Sequence, residues 1–156
     1  MRVIVDAYGG DYAPLETIKG AVDARAAYGF DIVLTGNESE IREIAAQHNL
    51  SLDGIEIVHA TDVISMNDIP KTILKEHKES TMAVGLRLLA DGKGDAFVSA
   101  GSTGALLMGA TFLVKRIKGI SRPALAAIIP SDKGPFMLLD SGANLDCRPE
   151  MLLQFA

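Results

Sequence analysis

The chain has 156 residues, a length that suits one domain and lets folding bury about 70% of the unfolded surface. Its composition is 48% hydrophobic but only 5% aromatic, a palette that fits layered α/β packing and not a disordered segment. The net charge of −5 excludes the broad basic footprint of a nucleic-acid binder. Cys147 is the single cysteine, so there is no internal disulfide framework of the secreted kind. The opening "MRVIVDAYGG" is no signal peptide, and no apolar run approaches the ~20 residues of a membrane-spanning helix. A soluble, cytoplasmic protein is expected.

In chain order, "VIVD" (Val3–Asp6) is an apolar, β-branched run that predicts a strand buried on both faces. "AYGGDYAP" breaks it. Leu15 to Tyr28 then predicts a helix ending at Gly29. "FDIVLTG" is a second strand, Ser39 to Asn49 a polar helix, and "IEIVHA" (Ile55–Ala60) a third strand. "TDVISMNDIP" is polar and carries a proline, which suits a loop or short helix. Thr72 to Lys78 predicts one helix; a second starts at Ser80, a residue type an N-cap requires, and runs to Ala90. "DAFVSAG" (Asp95–Gly101) is a fourth strand, followed by a helix over Thr103 to Lys115, within which Ala105 to Val114 is expected to be buried. "PALAAIIP" (Pro123–Pro130) and "FMLLDSG" (Phe136–Gly142) are fifth and sixth strands around the turn "SDKG".

Strands alternating with helices predict an α/β fold with a largely parallel sheet covered on both faces. An antiparallel element is expected around Asp132–Gly134. "SGANLDCRPEMLLQFA" opens a further loop and a helix too short to be stable alone, so the chain is expected to be a fragment of a longer protein.

In such folds ligands sit beyond the carboxyl ends of the strands. There the chain places Asp6, Gly9, Gly10 and Asp11 after strand one. It places Ser99, Gly101, Ser102, Thr103 and Gly104 after strand four, and Asp140, Ser141, Gly142 and Asn144 after strand six. The three loops are expected to open on one edge of the sheet. The Ser99–Gly104 turn has no lysine and matches neither GxxxxGK[ST] nor GxGxxG. It is either a tight βα turn or an anion cradle of hydroxyls and helix-start N–H groups. Asp11 either caps the next helix or helps hold a ligand. Asp140, Asn144 and Asp146 fit a magnesium site or a self-bonded turn, without EF-hand spacing. Cys147 is a buried structural thiol or an acyl acceptor. His48, His59 and His77 match no metal-ligand spacing. Lys115, Arg116, Lys118 and Arg122 form a basic cluster, either a solvated helix end or a landing site for an acidic partner.

Four segments together resemble one family: "VDAYGGDYAP", "DIPKTILKEHKESTMAVGLRLLADGKGDAFVSAGSTGALLMGA", "GISRPALA" and "LDSGANLDCRPEMLLQFA". They are similar to the phosphate acyltransferases of bacterial phospholipid synthesis, in order and along essentially the whole chain. The resemblance implies a three-layer α/β/α sandwich of the isopropylmalate dehydrogenase and phosphotransacetylase kind. It implies that residues 1–156 are the N-terminal portion of a single domain about twice as long. The activity it implies converts acyl-(acyl carrier protein) and inorganic phosphate into acyl-phosphate and free carrier. Acyl transfer to coenzyme A or simple anion binding are the alternatives.

No cofactor or metal is expected. A homodimer, peripheral membrane association and a downstream glycerol-3-phosphate acyltransferase are implied as partners. The site residues carried over are Asp6, Gly9, Gly10, Asp11 and Pro14; Lys78, Ser80 and Thr81; Ser99 through Gly104; and Asp140, Gly142, Asn144 and Asp146. Lys78 or Arg122 is expected to supply charge to phosphate, Asn144 to orient the thioester, and the basic cluster to dock the carrier. The chain departs from the family pattern at Tyr8, Tyr12, Thr81 and Ser102, where an asparagine is usual at the last.

Overall fold

The computed structural model describes residues 1–144 and 146–156. They form two compact units, Met1–Val114 and Lys115–Ala156. In the first, β1 (Arg2–Asp6), β2 (Asp31–Gly36), β3 (Ile55–His59) and β4 (Ala96–Val98) form one sheet in the order β3-β2-β1-β4. All three pairings are parallel, with Val3 opposite both Ile32 and Ala96. β2 is buried from Ile32 to Gly36, as a strand covered on both faces must be.

α1 (Leu15–Tyr28) and α2 (Glu38–Gln47) close one side over Val3, Ile18, Ile32, Leu34, Ile41 and Ile55. α3 (Thr81–Ala90) packs on β1 and β2 and shares a second cluster with Ile64, Ile73 and Ala105. Gly85 lets α3 also approach β4 closely, since a Cβ there would lie 2.2 Å from the Phe97 ring. α1 spans the predicted residues, and Gly29 ends it by donating its N–H to the Arg25 carbonyl at 2.9 Å.

Two helical stretches differ from expectation. The segment predicted over Thr72–Lys78 is a 3₁₀ turn at Pro70–Leu74: proline suits a helix start, but only a short turn fits before the Ser80 cap. The helix predicted over Thr103–Lys115 is α-helical as α4 (Thr103–Gly109), then π-helical over Ala110–Lys115. There Thr111 donates its hydroxyl to the Leu107 carbonyl at 2.6 Å, a side-chain intrusion of the kind that bends helices. Ala105 and Gly109 are its buried residues.

In the second unit β5 (Ala127–Ile129) and β6 (Phe136–Leu138) pair antiparallel around the predicted turn, and α5 spans Pro149–Phe155. These strands form their own two-stranded sheet. The loop after β6 therefore follows a hairpin and not a strand of the parallel sheet. A connection this short turns the chain back on itself, whereas parallel pairing needs a long crossover.

Leu34 is fully buried in the middle of the parallel sheet. Leu34→Ala is expected to lower stability by about 2–5 kcal/mol in urea unfolding; a change below ~1 kcal/mol would mean that this side chain is not in a packed core.

Candidate functional site

The register that sets Val5 opposite Val98 brings the two following residues, Asp6 and Ser99, to the same end of neighbouring strands. Asp6 is 2% exposed. Its Oδ2 accepts from the Ser99 hydroxyl at 2.8 Å and its Oδ1 from the Tyr8 N–H at 3.2 Å. Ser99 Oγ in turn accepts from the Gly101 N–H at 3.1 Å. A buried carboxylate left without donors costs roughly 1–3 kcal/mol or more, so these bonds bind the two turns together. Gly9 lies in the join: a Cβ there would sit 2.5 Å from Ser99 Oγ, 2.7 Å from Asp6 Oδ2 and 2.9 Å from Gly101 N.

Past Gly101 the chain enters α4. Ser102, buried, is the N-cap, and its Oγ accepts from the Ala105 N–H at 3.3 Å. A helix start leaves four N–H groups without intrahelical partners. Ser102 takes up the last of the four; those of Ser102, Thr103 and Gly104 have no partner among the described residues. Thr103 is exposed and Gly104 half-buried. A Cβ on Gly104 would meet Pro70 at 2.8 Å, and one on Gly101 would meet Met82 at 3.2 Å, so the Pro70–Met82 segment flanks this turn.

Within that segment Ser80 caps α3, accepting from the Ala83 N–H at 3.3 Å, and Thr81 donates its N–H to the Asp62 carbonyl at 2.9 Å. Both residues are buried. Lys78 is exposed, and its carbonyl accepts from Arg87 Nη1. Gly10 and Asp11 lie on the rim of the first turn; Asp11 is exposed, and Pro14 stands at the N-cap of α1. Tyr12 is exposed. Tyr8 turns away from the Ser99 turn and donates its hydroxyl to Glu40 at 2.6 Å. Burial first, then the Glu40 carboxylate, pushes its phenol well above the usual value.

An apolar cleft of about 440 Å³ runs along this unit between α1 and β4, lined by Val3, Val5, Ala21, Phe30, Val98 and Ala100. It reaches the turn at Ser99 and Ala100.

In the second unit Asp140 organises its own loop. Its carboxylate accepts from the Leu125 N–H at 2.8 Å, the Asn144 N–H at 2.7 Å and the Ala143 N–H at 3.3 Å. Asn144 Nδ2 also donates to it at 2.9 Å and to the Pro123 carbonyl at 3.2 Å, so both amide hydrogens of Asn144 are engaged. Burial works against the charge of Asp140, yet the bonds from Leu125, Asn144 and Ala143 hold its carboxyl below the usual value. Gly142, in the same loop, has φ +97°. Of the readings open for this loop, the self-bonded turn is the one these bonds describe. Cys147 is half-buried, its thiol 3.7 Å from the Asn144 carbonyl. Arg122 lines a surface concavity with Asp146, Arg148 and Glu150.

His77 is the residue that spacing did not single out. Its Nδ1 lies 2.8 Å from Asp62 Oδ2 and its Nε2 3.8 Å from Asp68 Oδ2. Fifteen residues separate His77 from Asp62, and only folding joins them. Among the described residues no group of three or more His, Cys, Asp or Glu could hold a metal ion, and no helix is long and apolar enough to cross a membrane.

The parallel sheet flanked by helices is an α/β architecture shared with solved phosphotransacetylases. That from Streptococcus pyogenes superposes with a TM-score of 0.77 at 15% identity, covering 99% of this chain and 51% of the other. That from Staphylococcus aureus gives 0.71 at 19%, with 99% and 50% covered. At these identities the likeness concerns the fold. In sequence, the family model described as "Fatty acid synthesis protein" matches residues 1–156, and the chain belongs to that family. It is 46% identical to the phosphate acyltransferase of Herpetosiphon aurantiacus over the whole chain and 42% of that relative. It is also 46% identical to the phosphate acyltransferase of Thermoanaerobacterium thermosaccharolyticum, again over the whole chain and 46% of the relative. The chain thus spans less than half the length of these curated relatives.

Two outcomes check this geometry. Gly9→Ala should force Ser99 away from Asp6 and lower amide-exchange protection at Gly101 at least tenfold, the equivalent of about 1.4 kcal/mol; unchanged protection would show that the join tolerates a methyl. Because the folded Asp140 carboxyl titrates below its unfolded value of about 3.9, its contribution to stability is complete above that pH and is lost as pH falls through the lowered value. Protection of the Leu125 and Asn144 amides should therefore hold above pH ~4, decline below it, and be lost at pH 7 in Asp140→Ala; equal protection in that variant would contradict the assignment.

Proposed function

We propose that this chain carries the phosphate-binding part of an acyltransferase that joins inorganic phosphate to the acyl group of an acyl-(acyl carrier protein), in the service of fatty acid and phospholipid synthesis. The observation that carries the reading is the open N–H row of Ser102, Thr103 and Gly104, set at the strand ends by the Asp6–Ser99–Gly101 bonds. Family membership and the name of the curated relatives support it.

Phosphate is a nucleophile at neutral pH and a thiolate leaves readily, so neither a metal nor an enzyme-bound acyl group is required. A phosphate oxygen forms a bond to the thioester carbonyl carbon, the C–S bond breaks with its electrons on sulfur, and the thiolate takes a proton from water. The protein's task is to strip water from phosphate, aim it, and stabilise the developing oxyanion. The helix-start N–H groups hold phosphate oxygens, the Thr103 hydroxyl adds a donor, Ser99 sets the turn through its bonds to Asp6 and Gly101, and Lys78 supplies positive charge. Gly9, Gly10, Asp6 and Asp11 shape the rim, while Ser80 and Thr81 fix the segment bearing Lys78. Ser102 Oγ accepts in the helix cap, which leaves its hydroxyl hydrogen and its N–H to offer the ligand. The apolar cleft that reaches Ser99 takes the acyl chain.

In the second unit, Arg122 adds positive charge for anionic substrates, and Lys115, Arg116 and Lys118 with it form the landing site of the acidic carrier. Asn144, held by Asp140 with Gly142 in the loop, offers its Oδ1 to an amide of the carrier's pantetheine arm. The working enzyme is a cytoplasmic homodimer at the membrane surface, passing acyl-phosphate to a glycerol-3-phosphate acyltransferase.

The test is thiol release from a long-chain acyl-carrier substrate by the protein bearing this chain, with and without phosphate and with acyl-coenzyme A as competitor substrate. Release should require phosphate and favour the carrier. Lys78→Ala should lower kcat/KM for phosphate about 10- to 100-fold, the loss of one charge-assisted bond. Phosphate-independent release would refute the reaction, preference for acyl-coenzyme A the carrier, and an unaffected Lys78→Ala the role of that side chain.

A further inference from the structure

We propose that His77 is a positioning residue of the phosphate site: pinned to Asp62, with Asp68 facing its other nitrogen, it holds the segment that flanks the Gly101–Gly104 turn. The inference deepens the reading above and takes from it only the ligand.

The geometry is a closed ring of four residues. His77 Nδ1 meets Asp62 Oδ2 at 2.8 Å; the His77 carbonyl accepts from the Ser80 N–H at 3.0 Å; Ser80 adjoins Thr81; and the Thr81 N–H returns to the Asp62 carbonyl at 2.9 Å. A ring nitrogen facing a carboxylate at that distance carries the hydrogen, and Nε2 faces Asp68. At 3.8 Å that approach is too long for a hydrogen bond. Asp68 is itself held in place by the Ser65 N–H at 2.6 Å, and this bond keeps its carboxyl low. The His77 N–H donates to the Thr72 carbonyl at 2.9 Å, tying the ring to the 3₁₀ turn.

The segment so pinned touches the candidate site at both ends, Pro70 against Gly104 and Met82 against Gly101. His77 lies between them, in neither hydrophobic cluster. A side chain outside the core that fixes two contacts to one turn acts on the shape of that turn more than on the stability of the fold.

The experiment compares wild type, His77→Leu and His77→Asn by titration with inorganic phosphate, by amide exchange at Thr81, and by imidazole ¹⁵N shifts. In wild type the shifts should show Nδ1 protonated. His77→Leu should weaken phosphate binding about tenfold and speed Thr81 exchange by a similar factor, with amides of β1 and β2 unchanged; His77→Asn, whose Nδ2 can still donate to Asp62, should recover both to within about threefold. Unchanged Thr81 exchange and phosphate affinity in His77→Leu, or an asparagine variant no better than leucine, would overturn the proposal. If wild type itself binds no phosphate, the functional reading and the ligand named here fail together, and Thr81 exchange alone still decides whether His77 braces the segment.

Discussion

The first unit depends on a buried carboxylate meeting a hydroxyl: Asp6 Oδ2 accepting from Ser99 Oγ at 2.8 Å. Two turns almost a hundred residues apart become one structure because β1 and β4 are parallel neighbours in register. The bond is worth a few kcal/mol at most, but its effect is directional. It draws Ser99 inward, Ser99 takes the Gly101 N–H, and the next three N–H groups are left at the start of α4. Gly9 permits the approach by having no side chain.

That arrangement differs in kind from a nucleotide loop. A P-loop wraps backbone N–H groups around a polyphosphate and adds its own lysine; here the turn has none. In the proposed function positive charge comes from a separate segment, on which Lys78 stands two residues before the Ser80 cap. Separating the charge from the cradle makes the placement of that segment matter, and the segment is short: a 3₁₀ turn, the His77–Asp62 ring, then the buried Ser80–Thr81 pair.

Much of the fold was legible because local chemistry and tertiary role agree. β-branched runs at Val3–Asp6 and Ile55–His59 are strands, α1 covers its predicted residues and closes at Gly29, and Ser80 caps α3. The antiparallel hairpin around Asp132–Gly134 was equally plain from its turn residues. What pattern could not show was which strands share a sheet: a six-strand alternation reads the same whether the last two join the first four or pair with each other. The π-helical stretch was hidden because a threonine that bonds back to Leu107 looks like any helical threonine in sequence. Asp6, Gly9, Ser99 and Gly101 stood out singly as residue types at strand ends, but their contact follows from register alone. His77 did not stand out at all, since its partners lie nine and fifteen residues away on irregular backbone.

The most direct measurement of the central claim is an ¹⁵N-resolved titration of this chain with inorganic phosphate. The account predicts saturable shifts concentrated at the Ser102, Thr103 and Gly104 amides, with smaller ones at Gly9 and Gly101. Shifts that never saturate, or that gather on surface lysines while those three amides stay still, would contradict it.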